Sequence, residues 1–343
     1  MILEKIKDNK KKVIIVIGIS ILLLVLLLFA YIFDQTMFSG IIEIFISGSV
    51  LALILTLISL GYSLVYGVGH VINLSHGMFY FLTGYLIFVF SNFQYLNWPY
   101  PTAVILSLII ITIVGALTYL ILIKPFRDNE IMILIITFSL GYLIFNFVWL
   151  LENVLQINAI PGMVFLPEFI TGQLNIFGIA VSYHKIIISL ISIGLVTLVI
   201  LFINKSRFGK AIRAVSQDQD AARLMGINLD GVLLFTVTLS ALLAGIAAFL
   251  YVPERDMSLQ TGWEFLLLSM SVVILGGMGS IPGTVIGAFV LSYGTYFCKN
   301  FINEWVTMWT GLKLPLDGIF HLIVVILMLM IRPRGILGKK EKI

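Results

Sequence analysis

Long apolar runs separated by short polar breaks dominate the chain. They fall at about 13–33, 41–66, 72–90, 102–122, 131–150, 186–204, 231–251, 263–277, 281–298 and 316–331. Most approach the roughly 20 residues that an α-helix needs to cross the hydrocarbon of a bilayer. The pattern predicts an all-α polytopic membrane protein with about ten transmembrane helices, some of them broken or short. The first run follows the basic stretch "KIKDNKKK", as in a signal peptide, but it is 21 residues long and "YIFDQ" lacks a small-residue cleavage site. An uncleaved extra N-terminal helix over 13–33 is the better expectation. The eighth and ninth runs are joined by "GGMGSIPG". They read either as two spans or as one irregular re-entrant element, and unwound backbone at that depth needs protein or a wet cavity around it.

Composition agrees with lipid as the medium. Of 343 residues 60% are hydrophobic and 11% charged, which excludes an ordinary soluble domain. Charge placement then orients the chain. With an inside N-terminus and ten crossings, the inside segments carry Lys5, Lys7, Lys10, Lys11, Lys12, Lys124, Arg127, Lys205, Arg207, Lys210, Arg213, Arg223, Arg332, Arg334, Lys339, Lys340 and Lys342. Outside fall only Lys185, Arg255, Lys299 and Lys313. That bias follows the positive-inside rule and predicts a multi-pass plasma (inner) membrane protein with both termini cytoplasmic. The net charge of +4 sits beside the spans, so it gives no reason to invoke nucleic acid. The single cysteine, Cys298, excludes an intrachain disulfide and reads as a small apolar packer.

Polar residues inside this pattern need an explanation. The stretch "GYSLVYGVGHVINLSHGMFYFLTGYL", 61–86, places Asn73, Ser75 and His76 between two apolar runs. Facing hydrocarbon they would be costly, so they should face the interior. Two readings stand: they line a solute path, with Leu74 and Phe79 supplying apolar bulk, or they tie a broken helix together through buried hydrogen bonds. In "GSIPGTVIG" the four-residue spacing of Gly279, Gly283 and Gly287 predicts one helix face on which a neighbouring backbone approaches closely. Glu43 and Asp317 lie near the outer ends of their runs, at expected headgroup level. The longest outside segment, 151–185, contains Pro161-Gly162, Pro167 and the alternating "QLNIFGIAV", a candidate hairpin. It reads as a plain connection or as a cap over a gate.

The inside segment 204–230 is the most polar part of the interior chain. In "RFGKAIRAVSQDQDAARLMGI" (207–227), Phe208, Ala211, Ile212 and Val215 repeat as one stripe of a short amphipathic helix. Ser216 with Gln219 fits a capping box for a second helix over about 217–225, Asp218 and Asp220 suit its positive end, and Gly226 suits a left-handed cap. The small face of Ala221 and Ala222 predicts close docking. The bland alternative is an interfacial helix held at the headgroups by Arg207, Lys210 and Arg213.

Asp220-Ala221-Ala222, three residues and Gly226 resemble the Glu-Ala-Ala-three-Gly coupling loop of ATP-binding-cassette importer permeases, with aspartate replacing glutamate. Together with 61–77, "LGGMGSIPGTVIGA" (275–288) and "IRPRGILG" (331–338), the loop makes the chain similar to the branched-chain amino acid permease family over most of 41–338. The first motif is similar to the shorter of that family's two paired permeases, and the extra N-terminal run to the longer.

The resemblance implies a coupling loop that includes Arg207, Gly209, Arg213, Asp220, Ala221, Ala222 and Gly226. It also implies two cytoplasmic ATPase subunits, a second permease subunit and an extracytoplasmic solute-binding protein. The chain has no Walker A sequence, so ATP and Mg belong on partner subunits and no cofactor or metal is expected in this chain. The leading expectation is a non-enzymatic permease subunit for branched-chain or other small amino acids. Alternatives are an importer of urea or short amides, a self-sufficient channel or secondary carrier, and, with no paired catalytic groups to support it, a membrane-embedded enzyme.

Overall fold

The computed structural model describes residues 35–92, 96–155, 163–168, 170–176 and 179–338. The apolar run at 13–33, the basic cluster before it and Pro161-Gly162 lie outside the described residues. The described chain is mostly helical. α1 spans Gln35–Gly69, α2 His76–Ser91, α3 Tyr100–Leu117 and α4 Glu130–Leu155. An antiparallel hairpin follows, β1 Gln173–Ile176 and β2 Ile179–Ser182, with Gln173 paired to Ser182, where alternation predicted it. Then come α5 Tyr183–Lys205, α6 Arg207–Val215, α7 Gln219–Leu224, α8 Leu229–Tyr251, α9 Thr261–Gly276, α10 Ile281–Phe297, α11 Asn303–Thr310 and α12 Asp317–Ile331.

Local chemistry sets many of these starts. The side chains of Ser182, Ser206, Asp218, Asn228 and Ser280 each accept from a backbone N–H in the first turn of α5, α6, α7, α8 and α10. Such caps satisfy donors that a helix leaves unpaired at its N-terminus. Beyond α3 and α10 the helical path continues as a π-turn, at Thr118–Ile123 and Cys298–Ile302.

Nine of the ten apolar runs coincide with apolar helices among the described residues. Six of these helices are long and apolar enough to cross a membrane: Phe38–Gly69, Tyr100–Phe126, Glu130–Val154, Tyr183–Lys205, Leu229–Tyr251 and Ile281–Thr310. His76–Ser91, Thr261–Gly276 and Asp317–Ile331 are apolar but shorter. The chain is a multi-pass membrane protein. The eighth and ninth runs form two separate helices, packed antiparallel: Gly283 lies against the Gly276 carbonyl, and a Cβ on Gly287 would meet the Val272 carbonyl oxygen at 2.6 Å.

α1, α2 and α8 form the centre. In the most apolar window of α1 and of α8, 61% of residues are buried, against 28% in α4 and α5. The outer helices therefore present much of their apolar surface to whatever surrounds the chain, as a membrane helix does. The connections segregate to two ends. At one end lie 70–75, 124–129, 206–228, 277–280 and 332–338, joined by the contacts described below. At the opposite end Lys185 pairs with Glu254 at 2.9 Å, Lys299 with Glu43 at 3.7 Å, and Val164 bridges to Met257.

Candidate functional site

The four sequence stretches singled out as motifs meet at one end of the bundle. Gly67 of α1 faces Gly279, with a Cβ on either only 3.0 Å from the other's Cα. Gln219 Nε2 of α7 donates to the Val68 carbonyl at 2.9 Å and lies 3.5 Å from His70 Nδ1. The backbone N–H groups of Ile336 and Leu337 donate to the Leu275 and Gly276 carbonyls, both at 2.9 Å. The C-terminal segment thereby satisfies the last carbonyls of α9, which no residue of that helix can reach. Gly277 makes this possible: at φ +102° it turns the chain away, and a Cβ there would collide with the Gly338 backbone nitrogen.

Beside this cluster the chain breaks. α1 ends at Gly69, His70 takes a left-handed conformation (φ 54°), and α2 begins only at His76. His76 Nε2 is 2.9 Å from the Ile58 carbonyl, three turns back along α1, and its Nδ1 is 3.1 Å from Ser240 Oγ in the interior of α8. Residues 70–75 therefore descend into the bundle, and α2 starts inside it. Asn73 Oδ1 accepts from the Ser75 N–H at 3.0 Å and from Ser75 Oγ at 2.6 Å. The Leu74 N–H donates to Thr137 Oγ1 of α4 at 3.1 Å. Asn73, Ser75, His76 and Phe79 are each no more than 2% exposed. Asn73 Nδ2 alone in this group has no hydrogen-bond partner among the described residues. A backbone this deep survives because side chains from α4 and its own segment replace the missing helix bonds. Ser240 and Thr137 were not singled out by sequence reasoning. Their signal is the isolated hydroxyl in an otherwise apolar run, a weak one, because such hydroxyls also bond their own helix.

The 204–230 segment folds as two short helices, with differences from expectation. Ser206 caps α6 by accepting from Gly209 N–H at 2.8 Å, and Gly209 packs against the Ile203 carbonyl at a sharp corner. Ile212 and Val215 are buried as the stripe predicts, while Phe208 is 43% exposed and lies 4.7 Å from the Phe235 ring. Arg207 is exposed, and the Arg213 guanidinium donates to the Ile203 carbonyl.

The capping box is corrected. Ser216 ends α6, donating to the Arg213 carbonyl at 3.0 Å, and Asp218 caps α7 by accepting from Ala221 N–H at 2.9 Å. An ionised carboxylate at the cap also suits the positive end of the helix, and it leaves Gln219 free to reach α1. The small face is split as well: Ala222 is buried in the chain's own body and Ala221 and Asp220 are exposed. Gly226 adopts the left-handed cap at φ +81°. Leu224 and Met225, 89% and 83% exposed, stand out just before it.

Gly279, Gly283 and Gly287 do not share one helix face. Ser280 and Pro282 start α10 at Ile281, so Gly279 sits in the preceding turn at φ +75°, and only Gly283 and Gly287 face α9. A charged staple went unread in the sequence. Asp230 at the start of α8 contacts Lys124 Nζ at 3.0 Å and Arg127 Nη1 at 3.2 Å, and accepts from Tyr119 at 3.2 Å.

Comparison with known proteins identifies the family. Residues 44–331 match the family described as branched-chain amino acid transport system / permease component. The chain is 28% identical over 295 residues to the high-affinity branched-chain amino acid transport system permease protein BraD of Pseudomonas aeruginosa, covering 83% of this chain and 92% of that protein. It is 27% identical over 318 residues to the permease protein LivH of the corresponding Escherichia coli system, covering 90% and 96%. A probable branched-chain amino acid transport permease protein, LivH of Methanocaldococcus jannaschii, is 27% identical over 297 residues, covering 83% and 89%. No solved structure matches the chain. The family match over most of its length, 44–331, makes this chain a member of the branched-chain amino acid transport permease family.

Proposed function

We propose that this chain is a membrane-spanning subunit of an importer for branched-chain or other small amino acids, driven by two cytoplasmic ATPase subunits. A second permease subunit and an extracytoplasmic solute-binding protein complete the machine. The observation that carries the reading is the seating of α7 on the end of α1 through Gln219 and Val68, beside the buried segment 70–75 that leads to His76.

In this reading each of the nine apolar helices belongs to one crossing, α2 starting inside the bundle and reached through 70–75, while the tenth crossing expected from the sequence at 13–33 lies outside the described residues. The motif end is cytoplasmic, in keeping with Lys124, Arg127, Lys205, Arg207, Lys210, Arg213, Arg223, Arg332 and Arg334 at that end. α6 and α7 are the coupling helices. Asp220, Ala221, Leu224 and Met225 are the side chains offered to an ATPase groove, an apolar tip on a charged shoulder. A push on α7 reaches α1 through Gln219, and α2 through the 70–75 segment. Asn73, Ser75 and His76 hold that segment in register in this closed arrangement, and they meet solute only when it rearranges. The N-terminus of α2, inside the bundle, carries the positive end of a helix dipole, where a solute carboxylate is favoured.

The test is reconstitution in vesicles with labelled leucine. ATP-dependent uptake is expected only with the ATPase subunits, second permease and binding protein present; robust flux through this chain alone overturns the subunit reading in favour of a channel or carrier. Gly226 sharpens it. A Cβ at Gly226 meets nothing within 4 Å, so Gly226→Trp clashes with no neighbour in the chain, but at φ +81° it strains the cap of α7; it is expected to abolish uptake by crowding a partner or by distorting that cap. Gly226→Asn, which tolerates the left-handed conformation, is expected to retain it. Full uptake by Gly226→Trp removes the coupling role.

A further inference from the structure

The end opposite the motifs holds a cavity of about 710 Å³ that the reading so far does not use. That size lies within the roughly 300–1,000 Å³ of small-molecule sites. α1 walls it with Glu43, Ile46 and Ser47, which fall on one helix face, and the α10–α11 junction walls it with Phe301, Glu304 and Met308. Lys185 and β2 close the third side.

Three features define what fits. First, the charges leave one carboxylate over. Lys185 pairs with Glu254 and Lys299 with Glu43, whereas Glu304 has no ion-pair partner among the described residues. A ligand cation at the rim of the cavity would find a carboxylate there with no competing partner among the described residues. Second, donors for an anion lie across the cavity. Lys185 Nζ has three hydrogens and uses two, on Glu254 and on Ser47 Oγ at 3.3 Å. Ile179, Ala180 and Val181 all line the space. Successive strand side chains point to opposite faces, so three consecutive lining residues mean that the edge of β2 itself borders the cavity, with its backbone groups available. Third, Ile46 of α1 and Phe301 and Met308 of the α10–α11 junction supply apolar lining, Met308 at the open rim.

We propose that this cavity is an entry site for an apolar α-amino acid in its zwitterionic form, the ammonium on Glu304, the carboxylate on Lys185 and the edge of β2, and the side chain against Ile46, Phe301 and Met308. The proposal rests on the import reading for its solute class. It adds where on the chain the solute is first held, and it requires both charges of the solute.

The test uses the full chain in lipid nanodiscs, with saturation-transfer NMR on leucine, on leucinamide, which lacks the carboxylate, and on 4-methylpentanoate, which lacks the ammonium. Leucine is expected to give signal, and the two analogues to bind more weakly, by about two- to fivefold where the lost contact is to the exposed Glu304. Glu304→Gln is exposed and leaves the fold's pairing untouched; it is expected to weaken leucine by about the same two- to fivefold. Met308→Trp, which fills the space without touching a charge, is expected to lose the signal too. Equal binding of leucine and leucinamide, or unchanged leucine binding in both variants, overturns the proposal. Leucine uptake by the fully assembled transporter, measured in parallel, separates the two readings. Uptake with no leucine signal overturns the cavity alone, and absence of uptake overturns the import reading on which it rests.

Discussion

The two ends of this bundle are built by different means. At the motif end, backbone touches backbone: Gly67 against Gly279, Gly276 against Gly283, Gly277 against Gly335 and Gly338. At the opposite end, elements are held apart by side chains and joined by ion pairs such as Arg255–Glu264 at 3.0 Å, with a cavity between α1, β2 and α11. Close-packed backbone has discrete arrangements and does not stretch, whereas a solvent-exposed pair such as Arg255–Glu264 exchanges with water at small cost. On the import reading proposed above, the motif end transmits movement as a rigid unit and the opposite end opens. Four sequence stretches far apart in the chain converge where tolerance is least.

The largest effect should come from substituting a glycine at that junction. In Gly277→Ala the added methyl meets the Gly338 backbone at a left-handed φ, and neither atom can swing away. Loss of about 3 kcal/mol or more is expected in thermal or denaturant unfolding of the purified chain. The matched change at the other end is Gly40→Ala, whose methyl meets only the tip of the Phe301 ring at 3.3 Å. Helix propensity offsets that contact, so stability should change by less than about 1 kcal/mol. Equal losses in the two variants would break the comparison.

Next in size is His76→Phe. It keeps the ring's bulk but deletes both hydrogen bonds that join the start of α2 to α1 and α8, leaving the Ser240 hydroxyl buried without that partner. A cost of about 1–3 kcal/mol follows from an unpaired buried polar group. A loss well below that range would argue that the 70–76 segment is already loose, and that the path reading of these residues deserves preference. Smaller again is the cap of α7. Asp218→Ala should cost about 1 kcal/mol and reduce ATP-driven uptake, while Ser216→Ala should change both less, since the first turn of α7 bonds to Asp218 and not to Ser216.

That last pair marks the limit of what the sequence made legible. The apolar runs, the hairpin at 173–182 and the left-handed Gly226 were readable because each depends on local pattern: hydrophobic length, alternation, a glycine after a helix. The choice between Ser216 and Asp218 as cap was not, since both precede Gln219 at workable spacing. Where Gln219 points decides it, and Val68 lies 151 positions away. Asn73, Ser75 and His76 were legible as residues that must face inward, but Ser240, which bonds His76, and Thr137, which accepts from the Leu74 N–H, sit in runs that look like any other span. The glycine series misled for a similar reason. Four-residue spacing implied one face, yet Ser280 and Pro282 placed the helix start inside the series and moved Gly279 into a turn.

The smallest predicted effect concerns the Asp230 staple, and it also contrasts the ends. Asp230 is 44% exposed at its side chain, as are its partners Lys124 and Arg127 at 48% and 21%. Solvent screens such pairs, so Asp230→Asn should cost under about 1 kcal/mol. Raising ionic strength should erase the difference from the unsubstituted chain, because mobile ions already shield what the substitution removes. At the opposite end Lys185 and Glu254 are less exposed, at 24% and 18%, and Lys185 is also held by Ser47. Glu254→Gln should therefore retain a stability defect in high salt where Asp230→Asn does not. A salt-insensitive Asp230→Asn defect would break the contrast, because Asn keeps an oxygen that accepts from Tyr119 and loses only the charge that Lys124 and Arg127 pair with.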